Sequence, residues 1–153
     1  MEINFLALLA AAVSALIIGA IWYNPKVFGT AWMKAADMTE EKMQGANMAK
    51  IFILAFIFAF LLAFALQFLT IHQTGALGMV GGDPSLAKPS FEAFMADYGT
   101  AFRTFKHGAL HGTIAGIFIA LPILGTNALF ERKGAKYIFI NAGYWIVTMA
   151  IMG

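Results

Sequence analysis

The chain has 153 residues, a formal net charge of +2 and no cysteine; 61% of its residues are hydrophobic and 12% are charged. A soluble domain carries about 25% charged residues, so the composition excludes an ordinary soluble domain and indicates a membrane protein. The small, dispersed positive charge argues against nucleic-acid binding. The lack of cysteine excludes disulfides, thiolate metal sites and cysteine nucleophiles.

Four long segments of the sequence carry no charged residue, and they predict four transmembrane helices. A helix needs about 20 apolar residues, within a range of about 17–25, to cross a bilayer, and it satisfies its backbone hydrogen bonds internally. The predicted helices lie near residues 3–24, 50–71, 107–130 and 137–152. The expected fold is all-α, a four-helix integral membrane bundle forming one domain over residues 1–153.

The loop after the first membrane helix is predicted to contain a short helix in the membrane interface. Pro25 ends the preceding helix because proline cannot continue the hydrogen-bond ladder. Val27, Phe28, Ala31 and Trp32 then have the spacing of one apolar helical face.

Further along this loop, Thr39 is expected to cap a helix that runs unbroken into the second membrane helix.

The long loop between the second and third membrane helices is predicted to contain an amphipathic helix. It begins with the glycine- and proline-rich segment GALGMVGGDPSLAKP, which we expect to be irregular, and Ser90 can cap the helix that follows. An apolar stripe at helical spacing supports that helix: Phe91, Phe94, Met95, Tyr98, Phe102 and Phe105. The helix either packs on lipid or the bundle, or serves as a lid over a ligand.

The distribution of lysine and arginine predicts the orientation in the membrane. The first loop carries four such residues, the third loop carries three, and the opposite side of the membrane carries three. The positive-inside rule therefore places both termini outside the cytoplasm. The predicted helix ends also carry aromatic and proline residues that we interpret as interface anchors: Trp22, Tyr23, Pro25, Trp32 and Tyr137.

Rows of small residues spaced four apart predict close helix packing, because they let helix backbones approach. The rows are Ala7, Ala11, Ala15 and Gly19 in the first helix, Ala55, Ala59 and Ala63 in the second, and Gly108, Gly112 and Gly116 in the third. This glycine-zipper pattern suits packing within the chain, or contact with a second copy or another membrane protein. We expect a homo-oligomer or a membrane-protein partner in addition to the lipid bilayer.

The three histidines of the chain are predicted to lie at the same side of the membrane and at similar depth. His107 and His111 share a helical face, and His72 ends the second helix. Three interpretations remain open: hydrogen bonding that only stabilises the bundle, a proton or solute path, and a metal or haem site. A metal site would take its third ligand from His72, Asp83, Glu92 or Asp97.

Asn127 and Asn141 complete the candidate polar or ligand site of His72, His107 and His111. We expect no resident metal or cofactor, with a metal or haem at the histidines as the alternative. No catalytic constellation is evident, so we expect no enzyme. The favoured function is that of an oligomeric transporter or channel-like protein for a small solute or ion. The alternative is a non-transporting scaffold or accessory subunit.

Several segments resemble the bacterial membrane family catalogued as domain of unknown function 1761. They are WYNPKVFGTAWMK after the first helix, HGALHG in the third, and LPILGTNALFERKGAKYIFINAGYWIVTMAIMG at the end. The resemblance implies a small four-helix protein of a bacterial cytoplasmic membrane, and it implies no established activity. If the family pattern marks a site, the positions are Trp22, Tyr23, Pro25, Gly29, Trp32, His107, His111, Asn127 and Asn141.

Overall fold

The computed structural model describes residues 3–153, and the regular structure within that range is helical. Four helices are long and apolar enough to cross a membrane, namely Phe5–Trp22, Met48–Thr70, Phe105–Phe130 and Ala135–Met152. The prediction of an all-α bundle with four membrane helices is confirmed, and the helix bounds differ from the predicted ones by two residues at most.

Nine α-helical segments are present among the described residues. They are α1 (Phe5–Trp22), α2 (Thr30–Ala36), α3 (Glu40–Met43), α4 (Met48–Thr70), α5 (Gln73–Met79), α6 (Pro89–Tyr98), α7 (Phe105–Ala115), α8 (Leu121–Phe130) and α9 (Ala135–Met152). The third membrane helix consists of α7, a π-helical turn (Gly116–Ala120) and α8. Pro122 lies just after that turn and cannot donate a backbone hydrogen bond, so it accounts for the break in the regular ladder.

The bundle is held by two close helix pairs, α1 with α4 and α7 with α9, and α1 also contacts α9. Small side chains form the contact between α1 and α4, where Ala12, Ala15 and Ala59 are buried. Membrane helices associate through such close packing because lipid tails are as apolar as the side chains themselves.

The glycine row of the third membrane helix lies against α9 of the same chain. A Cβ atom added at Gly116 would lie 2.6 Å from the Ile146 Cα, and one added at Gly112 would lie 2.9 Å from the Ala150 Cα. These positions therefore accept only glycine without a shift of the helices. Self-association through the small-residue rows stays a prediction.

Both described chain ends lie at one end of the bundle, because Asn4 and Gly153 line the same cavity. We call this the histidine end, since His72 and His107 also lie there, and we call the opposite end, where Lys133 lies, the lysine end. At the lysine end, the Lys133 Nζ donates a 2.9 Å hydrogen bond to the Ala36 carbonyl at the end of α2.

The predicted interface anchors also fasten α1 to α9 at the lysine end. The Trp22 indole donates a 3.0 Å hydrogen bond to the Ile140 carbonyl, and the Tyr23 hydroxyl donates one of 2.9 Å to the Asn141 side chain. The Trp32 ring packs edge-on against the Tyr23 ring at 5.5 Å.

The predicted unbroken helix between Thr39 and the second membrane helix is wrong. Thr39 does cap α3 by accepting a hydrogen bond from the Lys42 amide. However, α3 ends at Met43, and Gly45 then takes a left-handed conformation with φ of 79°. A residue in the left-handed conformation cannot continue a right-handed helix, so the chain starts a new helix, α4, which Asn47 caps.

The long loop also differs from its prediction in three places. Its glycine-rich start contains α5, a helix of seven residues, rather than irregular chain alone. The amphipathic helix α6 is present but begins at Pro89, so Ser90 is its second residue and not its cap. Phe102 leaves the predicted helical stripe, because its φ of 62° is left-handed and lies beyond the end of α6.

Candidate metal site at the histidine end

The three histidines, predicted to lie at the same side and depth, converge on one point. One ring nitrogen from each of His72, His107 and His111 lies within 4.8 Å of the other two. The Nε2 atoms of His72 and His107 are 2.8 Å apart, so one ring donates a hydrogen bond and the other accepts it. We call these three residues the histidine site.

The local backbone explains how two separate helices bring these rings together. Helix α4 ends at Thr70, and Ile71 is extended, so the chain turns and His72 stands before α5. On the other side, the Thr104 hydroxyl accepts a hydrogen bond from the His107 amide and starts α7. His111 follows one turn later, about 6 Å further along the axis and on the same face.

The distances among the ligand atoms are close to those that a metal ion requires. Zinc–nitrogen bonds of about 2.1 Å at tetrahedral angles hold two imidazole nitrogens about 3.4 Å apart. The distances in the histidine site, from 2.8 Å up to a limit of 4.8 Å, bracket that value. The three ring nitrogens therefore lie at separations compatible with one shared ion.

The donor set indicates which ions would fit. It consists of three imidazoles, and His72 is exposed while His107 and His111 are half-buried. Neutral imidazole suits Zn²⁺, Cu²⁺, Fe²⁺ and Ni²⁺ better than Mg²⁺ or Ca²⁺, which prefer oxygen. Three such ligands with a free fourth position resemble the open zinc sites of proteins.

The acidic residues considered as a third ligand lie elsewhere. Asp83 accepts two hydrogen bonds from Ser85, through its amide and its hydroxyl, and these lower the pKa of the Asp83 carboxyl. Glu92 and Asp97 are exposed on α6. In the described part of the chain, the histidine site is the one group of three or more histidine or acidic side chains with ligand atoms this close together.

Asn127 and Asn141, predicted as part of the same polar site, are not near it. Asn127 is exposed on α8, sixteen residues and thus roughly 24 Å along the helix from His111. Asn141 lies at the lysine end, where it accepts from Tyr23 and donates to the Tyr137 carbonyl at 2.8 Å. Asn141 therefore joins α9 to the residue after α1 at that end, and helical periodicity alone cannot separate positions by depth.

Two residues beside the histidine site were missed by the sequence analysis. The Phe102 ring stacks on the His107 ring, with centroids 5.0 Å apart, and meets the His72 ring edge-on at 6.1 Å. Gln73 is 5% exposed, and its amide group donates to the carbonyls of Tyr98 and Ala101. The one available signal was that Gln73 adjoins His72 in the sequence.

A partly open cavity of about 790 Å³ lies at the same end of the bundle. Its lining includes Gln67, Thr74, Arg103 and Gly108, but none of the three histidines. A transporter that used the histidines or the asparagines would need a water-accessible cavity lined by them, and neither set lines this one. The small residues Ala7 and Ala11, predicted as a packing row, line it as well.

A buried apolar cluster lies deeper in the bundle than the histidine site. Leu66, Ala115 and Met149 form a buried cluster there, with exposures of 2%, 4% and 3%. Ala115 is one turn deeper than His111 on α7, and Leu66 is about one turn before the end of α4. The histidine site consequently lies at one end of the bundle, with this cluster between it and the lysine end.

Fold and site together define a polytopic α-helical membrane protein with a cluster of three histidines at one end. Residues 6–153 match the family model described as "Protein of unknown function (DUF1761)". The chain therefore belongs to that family, which has no assigned function. Neither the curated proteins nor the solved structures contain a match.

Proposed function

We propose that this protein binds a transition-metal ion of the Zn²⁺ class at the histidine end of its bundle. The observation that carries the proposal is the convergence of three imidazole nitrogens within 4.8 Å. His107 and His111 on α7 are half-buried and His72 before α5 is exposed, and half-buried imidazoles need partners for both ring nitrogens. A metal ion would give all three rings the same partner.

We further propose that the protein captures the ion rather than passing it through a single chain. The buried cluster of Leu66, Ala115 and Met149 lies deeper in the bundle, since Ala115 is one turn beyond His111, and α7 is held tightly against α9 by its glycines. A path for an ion would require these contacts to open. A binding role also fits the alternative prediction of a non-transporting accessory subunit.

A binding role is proposed in preference to an enzymatic one. The donor set has no carboxylate beside it in the described residues, so nothing there is placed to act as the general base that metal-assisted hydrolysis uses. We place the protein in a bacterial cytoplasmic membrane with the histidine end outside, because most lysines and arginines lie on the other side.

The direct test is zinc titration of the purified, metal-free protein in detergent or nanodiscs. We expect one Zn²⁺ per chain in calorimetry. Replacing His72, His107 or His111 by alanine should weaken binding by more than about 100-fold, since outer-shell changes alone cost about 10–100-fold. Asn127→Ala is the control, since this exposed residue lies far from the site.

His72→Ala is the most informative variant, because His72 is exposed and its removal leaves the helix packing intact. Bound zinc should also stabilise the wild-type protein by about 2.7 kcal/mol when its free concentration is 100 times Kd. Two results would overturn the proposal: no saturable zinc binding, or wild-type affinity in His72→Ala. Either would favour a purely stabilising role for the histidines.

A further inference from the structure

The Phe102 ring covers one side of the histidine site. It stacks on His107 with an interplanar angle of 28° and stands perpendicular to His72. The ring lies on the outside, since Phe102 is 66% exposed. A phenyl ring offers no donor atom to a metal, so the positions that it covers cannot be filled by water or another ligand.

The backbone at Phe102 is in the left-handed region. A φ of 62° is unusual for a bulky residue, and such conformations are found most often at functional sites. Glycine would be free of strain at this position. The visible result of this conformation is the placement of the ring on the two histidines.

Gln73 holds this segment in place. Its Nε2 donates to the Tyr98 carbonyl at 2.9 Å and to the Ala101 carbonyl at 2.8 Å. The two bonds fasten both ends of the short turn before Phe102 to the residue that directly follows His72. Gln73 thus couples the position of the aromatic ring to the position of one proposed ligand.

We propose that Phe102 is a specificity-determining residue of the histidine site, with Gln73 as its positioning residue. The ring limits a bound ion to four ligands, three imidazoles and one small exogenous group, and so selects Zn²⁺ over Ni²⁺. This inference rests on the metal binding proposed above.

Coordination chemistry supplies the reason for the selectivity. Zn²⁺ has a filled d shell and accepts four tetrahedral ligands without penalty, whereas Ni²⁺ favours tetragonal surroundings with more ligands. Raw affinities of nitrogen sites for the two ions are similar in rank, so geometry decides between them. With the phenyl ring in place, the histidine site has no room for the additional ligands that Ni²⁺ favours.

The test compares Phe102→Gly with the wild-type protein loaded with Co²⁺, Zn²⁺ or Ni²⁺. Glycine suits the left-handed φ, so the variant should fold. Four-coordinate Co²⁺ absorbs visible light far more strongly than six-coordinate Co²⁺, and we expect the strong band in the wild type and a weak one in Phe102→Gly. The ratio of Zn²⁺ to Ni²⁺ affinity should fall about 10-fold, the lower end of outer-shell effects.

Phe105→Ala is the matched control, because Phe105 is 97% exposed and three residues away. Gln73→Met, which has similar size but no donor, should reproduce the Co²⁺ spectrum of Phe102→Gly. An unchanged spectrum and affinity ratio in Phe102→Gly would overturn this inference while leaving metal binding intact. A wild-type protein that binds none of the three ions would instead overturn the proposed function.

Discussion

Gly116→Ala tests whether the contact between the third and fourth membrane helices holds the bundle together. The added methyl carbon would lie 2.6 Å from the Ile146 Cα and 2.9 Å from its Cγ1. Carbon atoms in good contact are about 3.5–4.0 Å apart. The two helices would therefore have to separate by about 1 Å, since the nearest atom belongs to the backbone and cannot rotate away.

The expected cost follows from this overlap. Insertion of a methyl group into a well-packed interface costs about 1–3 kcal/mol, whereas alanine in a helix is otherwise favoured over glycine by about 0.5–1 kcal/mol. We expect Gly116→Ala to lower the free energy of unfolding by about 0–2.5 kcal/mol, as the difference of these terms, and to be less stable than a control alanine variant without the overlap by about 1–3 kcal/mol.

Gly125→Ala is the control in the same membrane helix. Its added carbon would meet only the Ile138 Cγ2 at 3.7 Å, an ordinary contact, so that variant should be as stable as the wild type or slightly more so. Both variants are compared by reversible unfolding in mixed micelles with increasing SDS, followed by circular dichroism. Equal stability of Gly116→Ala and Gly125→Ala would refute the close contact between α7 and α9.

Two further predictions concern the ends of the bundle. Tyr23→Phe removes the hydrogen bond to Asn141 and should lower stability by about 0.6 kcal/mol, the average for such bonds in membranes, in the same SDS assay. Zinc affinity should not change, and a loss of affinity would contradict the separation of the two ends. Because the chain has no cysteine, single-cysteine variants test the orientation. A membrane-impermeant maleimide should label Phe105→Cys in intact cells and Glu131→Cys only after permeabilisation, and the reverse pattern would place the histidine end inside.

The candidate site was predictable in part from the sequence. The spacing of His107 and His111 placed them on one helical face, and the topology placed His72 at the same depth. Asn127 and Asn141 were wrongly assigned to the histidine site. A polar side chain in a membrane helix needs a hydrogen-bond partner, but its position in the sequence does not say which residue that partner is. Asn141 finds Tyr23, which lies 118 positions earlier in the chain.

Composition and charge gaps alone determined the membrane class and the four helices of this protein. These properties depend on local chemistry, since a long uncharged apolar segment must form its hydrogen bonds internally wherever it packs. Only the tertiary structure decided that the glycine row meets α9, that Phe102 covers two histidines, and that Gln73 holds it there. Those contacts join residues far apart in sequence or residues in left-handed turns, and no periodic pattern specifies either of them.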